Sequence, residues 1–182
     1  MADWLIAPYD PADLPAVVAL VNAAYRGEGA AGGWTTEAGY IDGQRTSAED
    51  LAADHAAESQ PTLLVLRGEP GGPILACAMI ELLAASDGAT KAYIGMITVD
   101  PAQQAAGLGR VILAAAEDHA LASGALRAEM TVVSIRDTLI AWYERRGWRL
   151  TGEVRPFPYD DPRFGVPRRP DLAFVVLDKP LN

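Results

Sequence analysis

Cysteine is almost missing from this chain of 182 residues: Cys77 stands alone, so no intrachain disulfide can form. Its flanks, ILACAMI, are apolar, which reads as a buried, inert thiol rather than a nucleophile. Histidine is as scarce. His55 and His119 lie far apart and read as surface or packed residues, and with one cysteine they do not make up a zinc site, so no metal is expected. Basic charge is short as well: 15 Lys and Arg against 24 Asp and Glu leave a net charge of −9. Phosphate-backbone binding needs a basic face, so a nucleic-acid module is excluded. The acidic surface reads as solvated, with a cationic partner as the other reading. No apolar run approaches the roughly 20 residues of a membrane span, and neither a repeat nor a low-complexity linker is present. The opening MADWLIAPYD has no basic region ahead of a long apolar one, so no signal peptide and a cytoplasmic location are expected.

What is present is a core. Half of the chain is hydrophobic and the mean hydropathy is slightly positive, which argues against disorder and for one domain over residues 1–182. WLIAPYD reads as a short strand. Asp10 or Asp13 then caps a helix with Pro11 or Pro15 in its first turn and apolar residues Leu14, Val17, Val18, Val21 and Ala24 on one face. Ser47, with Asp50 three residues on, caps a second helix that ends before Pro61. Three strand-like runs follow: TLLVLRGE, ILACAMIELLAA and KAYIGMITV, the first two joined by PGGP. Leu108–Ala122 is a third helix stopped by Gly124, LRAEMTVVS a strand, and Ser134 with Asp137 the cap of a fourth helix ended by Gly147. WRLTGEV and LAFVVLDKPL close the chain. The order β-α-α-β-β-β-α-β-α-β-β mixes hairpins with helical crossovers. It implies an α/β (α+β) domain with a mixed sheet of about seven strands and about four helices.

The sharpest chemical signal is IGMITVDPAQQAAGLGRVILAAAEDHA. An apolar strand ends at Val99, Asp100–Pro101 stops it, and a loop with Gln104, Gly107 and Gly109 opens directly into a helix. The first N–H groups of a helix have no partner within it and carry partial positive charge, so they bind anions. Two glycines let a phosphate approach the backbone closely. The spacing is neither the GxGxxG of dinucleotide folds nor the Gly-Lys-Ser/Thr of a P-loop.

Gln104-Ala105-Ala106-Gly107-Leu108-Gly109 after a strand resembles the acetyl-CoA loop of the GNAT superfamily of N-acetyltransferases. Forty residues on, IRDTLIAWYERRGWRLTGE resembles that family's second motif: a helix with a late tyrosine (Tyr143), then Gly147 and an aromatic residue (Trp148), then a strand. The resemblance covers about residues 4–181. It implies a GNAT-like fold and an enzyme that moves an acetyl group from acetyl-CoA to a primary amine. Gln104 through Arg110 would hold the pyrophosphate, mostly by main-chain N–H. Ile97, Thr98 and Val99 would pair with the pantetheine arm as a neighbouring strand would, between AYIGMITV and AEMTVVS splayed apart. Many relatives carry Asn about seven residues before the tyrosine; this chain has Arg136, which meets a phosphate or is solvated.

The resemblance also makes Tyr143 the acid that protonates the leaving thiolate, with a packed helix tyrosine as the plain alternative. The attacking amine must be neutral, so a base is needed. Glu81, the one acid inside CAMIELLAA, is the candidate, with a raised pKa if buried; on the solvent edge of its strand it would be nothing of the kind. Glu129 is the second candidate. Between the first two helices, contact-making side chains gather where regular structure does not need them. In the family this segment lines the acceptor pocket. Tyr25, Glu28, Trp34, Thr35, Glu37 and Arg45 are the expected lining, with Glu28 or Glu37 to receive a cationic amine. Phe157, Tyr159 and Arg163 from the late RPFPYDDPRFGVPRRP loop would close over it; the plain alternative is two loops packed together as a lid. The expected acceptor is a small amine or amino-acid-like molecule. A protein lysine or N-terminal amine, and a non-catalytic acetyl-CoA-binding module, are the other readings. No nucleic-acid or membrane partner is expected, and a homodimer is compatible with the sequence.

Overall fold

The structure, a computed structural model, describes residues 4–27, 33, 36–56, 58–84 and 90–182. Strand β1 (Leu5–Pro8) leads into a single 3-10 turn, Pro11–Asp13, and then helix α1 (Leu14–Arg26). Asp10 accepts from the Ala12 N–H while Asp13 accepts from the Asp10 N–H, so the expected acidic cap forms one turn ahead of the helix proper. Next come β2 (Ile41–Asp42), α2 (Ala48–His55), β3 (Thr62–Arg67), β4 (Ile74–Ala84) and β5 (Thr90–Val99). Ser47 Oγ accepts from the Asp50 N–H at 3.0 Å at the start of α2. Helix α3 (Leu108–Ala122), β6 (Arg127–Val133), α4 (Asp137–Glu144), β7 (Arg149–Pro156), β8 (Val166–Pro167) and β9 (Ala173–Pro180) complete the order. Among the described residues no helix is long and apolar enough to cross a membrane.

Seven strands form one mixed sheet in the order β1-β3-β4-β5-β6-β9-β7. Its inner strands are apolar without alternation because both faces are covered. Along β3, Leu64 and Leu66 pack with α3 and α4 on one face, while Leu63 and Val65 pack with α1 and α2 on the other. Alanines at 116 and 120 bring α3 close to the sheet. Cys77 is buried, and burial pushes its thiol up to about 12, so it stays protonated as expected.

The break that makes a site lies in mid-sheet. Among the described residues β5 and β6 are the one parallel neighbour pair, and they pair only at Lys91↔Arg127, Ala92↔Ala128 and Tyr93↔Glu129. Beyond Tyr93 they diverge. On its other side β5 shifts register against β4 between Cys77 and Met79, where Met96 has a φ of +50°. Such a bulge leaves a residue unpaired and bends the strand.

α2 ends at His55, before Pro61 as expected. Two expectations are corrected. Ser134 is not the α4 cap: its N–H donates to Ala173 O at 2.8 Å, and Arg136 occupies the cap position without a side-chain cap. The two loops expected near the acceptor contain paired strands: Ile41↔Pro167 and Asp42↔Val166 form a small antiparallel sheet, tied by Arg168 to the Asp42 carboxylate. Gly165 sits against this pair at φ +84°, ψ −172°, where a Cβ would run into the Asp42 carbonyl and the Ile41 side chain. That conformation costs a side chain about 1–3 kcal/mol before any clash. Gly165→Ala should lower the melting temperature by at least about 4 °C and raise the acceptor KM, with acetyl-CoA affinity unchanged. Gly71→Ala, at φ +70° in open space, is the control for strain alone.

Candidate active site

Two cavities meet in the divergence of β5 and β6. The smaller, about 190 Å³, lies between the end of β5, the start of α3 and α4. The larger, about 390 Å³, lies between the strands and the β2–β8 lid. Tyr25, Ile97, Arg136, Leu139 and Tyr143 line both and mark the junction.

Gln104, Gly107, Gly109 and Arg110 line the smaller cavity, as do Ile97 and Val99. Gly107, at φ +77°, is the left-handed hinge from the 3-10 turn Pro101–Ala106 into α3. Gly109 has no such φ; a Cβ there would lie 3.5 Å from Trp142 and 3.6 Å from Val99. Ala106 and Leu108 belong to the loop but do not line the cavity. The Leu108 side chain is in the core, Ala106 faces solvent, and Ala105 is part of the 3-10 turn. Thr98 faces the α1 side, its hydroxyl donating to Met96 O at 2.9 Å, so it can offer this cavity only backbone. Three residues of this lining were missed: Leu139, Trp142 and Arg146. Trp142 lines the cavity, and Arg146 lies over its ring, a spacing of four that the helix pattern AWYERR carries openly. Among the described residues three arginines (110, 136 and 146) and no carboxylate line this cavity, in a chain of charge −9. An anionic ligand suits it.

Tyr143 is buried near the end of α4, between Trp142 and Trp148. Burial pushes its phenol well above the usual tyrosine value, Tyr25 adds to the rise and Arg136 opposes it only in part. Tyr25 is half-buried, and its hydroxyl donates to Ile97 O at 3.1 Å.

Charge is sorted in the larger cavity. Glu37 lines it, but its carboxylate is held by Arg26 and, at 3.2 Å, by Arg136, with all three side chains buried. The expectation that Glu37 receives a cationic amine is therefore corrected: two guanidiniums already occupy its carboxylate. Arg45 lies 5.4 Å from the centre of the Tyr25 ring and makes no ion pair among the described residues. Glu129 is paired too, with Lys91 at 2.6 Å and Arg155 at 2.8 Å. Burial works against its charge, yet those hydrogen bonds outweigh burial and hold its pKa below the usual carboxylate range. That is a poor proton acceptor. Glu81 is half-buried, lines the same cavity, and makes no ion pair among the described residues. It sits opposite Tyr93, whose hydroxyl meets Thr131 Oγ1 at 2.8 Å across the divergence.

Phe157 lines the cavity from the lid core, against Phe164 and Phe174. Tyr159 does not line it: its hydroxyl accepts the Leu172 N–H at 2.7 Å and pins the loop from outside. Arg163 pairs with Asp161 in a side cavity. Glu28, Trp34 and Thr35 lie outside the described residues. Neither histidine lines either cavity; His55 packs edge-on against Tyr9.

A sequence-family model, the acetyltransferase (GNAT) family, matches residues 31–148, well over half of the chain. The chain belongs to the acetyltransferase (GNAT) family. It is thus an acetyltransferase, with acetyl-CoA as its donor. Solved structures share the fold of this GNAT enzyme at low identity. One proposed to be a phosphinothricin N-acetyltransferase aligns at a TM-score of 0.72 with 18% identity, covering 99% of both chains. The ribosomal-protein-S18-alanine N-acetyltransferase from Escherichia coli aligns at 0.66 with 19% identity, over 99% of this chain and 95% of that one. yncA from Salmonella typhimurium, solved with its cofactor acetyl-CoA, aligns at 0.67 with 21% identity, over 98% and 94%. No curated protein matches in sequence.

Proposed function

We propose that this GNAT enzyme acetylates the primary amine of a small acceptor that also carries an anionic group, an amino-acid-like molecule. The observation that supports this is the sorting of charge in the larger cavity. Arg45, without an ion pair among the described residues, supplies positive charge on one side, while Glu81 is the one lining carboxylate without an ion pair among the described residues. A zwitterionic acceptor matches both. The lid strands β2 and β8 further suit a compact molecule better than a folded protein surface.

In the reaction the amine nitrogen attacks the thioester carbonyl, an oxyanion forms, and the C–S bond breaks to leave acetylated amine and CoA thiolate. An amine with an aqueous pKa near ~10.4 for a lysine side chain, or ~8 for an α-amino group, must shed a proton first. Glu81 takes it, directly or through water. The bulge at Met96–Ile97 frees backbone from the β4 ladder beside the junction, and an N–H there can meet the oxyanion. Tyr143 faces the departing sulfur. Because burial raises its pKa, complete transfer to a thiolate of ordinary pKa near ~8.5 is uphill. Its contribution is a hydrogen bond donated as charge builds on sulfur, not a stored free proton.

Release of CoA thiol, measured with a panel of acceptors, tests the reading. Free amino acids and their close analogues should turn over at least about 10-fold faster than the corresponding decarboxylated amines, since a charged hydrogen bond is worth about 1.5–3 kcal/mol. Peptides that outperform free amino acids would overturn it in favour of a protein acetyltransferase. No thiol release with any amine, despite acetyl-CoA binding, would favour the non-catalytic reading.

A further inference from the structure

Arg146 stands one turn past Trp142, just beyond the end of α4. Its guanidinium carbon lies 3.5 Å from the centre of the Trp142 ring, and Nη1 donates to the Trp142 carbonyl at 2.6 Å. Its Nε is buried without a hydrogen-bond partner, and Arg146 makes no ion pair among the described residues. It lines the donor cavity with Gly107, Gly109 and Arg110. Burial lowers its pKa, and repulsion from Arg145 and Arg110 lowers it further. Cations gathered this way, with no carboxylate among the described residues of the same wall, cost stability unless an anion neutralises them. Stacking on the indole fixes the guanidinium fork in advance, so little rotamer freedom is left to lose on binding. The platform also stands beside the glycine loop, since the Trp142 ring is the nearest neighbour of a Cβ placed on Gly109.

We propose that Arg146, held on Trp142, is a phosphate-binding residue of the donor cleft and takes a phosphate of CoA. An arginine fork fits phosphate oxygens in pairs, which an ammonium does not. The proposal rests on acetyl-CoA as the donor and is independent of the acceptor reading. The two phosphate sources within CoA, the pyrophosphate and the ribose 3′-phosphate, are separated by the choice of ligand.

Calorimetric titration of the full chain with CoA, 3′-dephospho-CoA and pantetheine tests it, in wild type, Arg146→Gln and Arg146→Lys. Arg146→Gln should weaken CoA about 10–100-fold and leave pantetheine unchanged, with the lysine variant between. If dephospho-CoA weakens as much as CoA, the pyrophosphate is the partner; if only CoA weakens, it is the 3′-phosphate. Either result supports the assignment. CoA affinity within twofold of wild type in a folded Arg146→Gln protein would overturn it. So would an equal loss for pantetheine, which would make Arg146 a structural support of α4.

Discussion

Gly109→Glu should abolish acetyl-CoA binding, with a loss of at least about 1,000-fold by calorimetry. The position faces the donor cavity and has no left-handed φ, and its nearest neighbours would be in ordinary contact with a Cβ. Folding is therefore preserved. A helical Gly→Ala change is favourable by about 0.8–1 kcal/mol, so a melting temperature equal to wild type or above is expected. The damage is electrostatic and steric together. A carboxylate at 109 fills the space left by the missing side chain and competes for Arg110 and Arg146, the cations meant for the ligand. Losing two charge-assisted hydrogen bonds at about 1.5–3 kcal/mol each already reaches that factor. Gly109→Ala, which adds bulk without charge, should fall between. A folded Gly109→Glu protein with wild-type affinity would show that the donor phosphates lie elsewhere.

Glu81→Gln should cut kcat by about 100-fold or more while the Kd for acetyl-CoA stays within about twofold. General-base catalysis commonly contributes about 10²–10⁴ in rate. Glutamine keeps the size and polarity of the side chain in a half-buried strand position, so a loss of fold is not expected. The remaining rate should climb with pH as the neutral fraction of the amine rises, because hydroxide and water replace the carboxylate. Tyr143→Phe in the same assay should lose about 10-fold, the worth of a hydrogen bond to developing charge, and keep the pH profile of wild type. A Glu81→Gln enzyme with unchanged kcat and unchanged pH profile would move the base to another group. Glu129 is not the obvious substitute, since two cations hold it charged.

The glycine loop and its helix were legible because their signals are local. Strand end, glycine hinge and helix start fall within a dozen residues, and α3 begins and ends at the residues its glycines mark, Leu108 and Ala122. The acceptor side was not, because its partners are distant. Glu37 reads as a free acid until Arg136, ninety-nine positions away, is seen against it. The strands β2 and β8 are two residues each and exist only as a pair, so no periodicity announces them. Ser134 followed by Asp137 has the letters of a cap, but the strand beyond it competes for the Ser134 N–H and wins. Tyr159 has the look of a lining aromatic, and only its bond to the Leu172 N–H assigns it to the loop. Arg146 was the opposite case: its spacing from Trp142 is a local signal, obscured because the sequence presents two adjacent arginines.

The short pairing of β5 with β6 also gives the cleft leverage. Their three matched positions act as a pivot, and Val99 lies six residues past the last of them. At about 3.3 Å per residue, that arm is about 20 Å long. A rotation of about 5° at the pivot would swing its far end by roughly 1.7 Å, more than half a hydrogen-bond length. Lys91, Glu129 and Arg155 clamp the pivot itself. Side chains that do not touch the junction of the two cavities would thus set how wide the cleft stands where β5 and β6 part, and substitutions at the clamp would tune turnover from a distance.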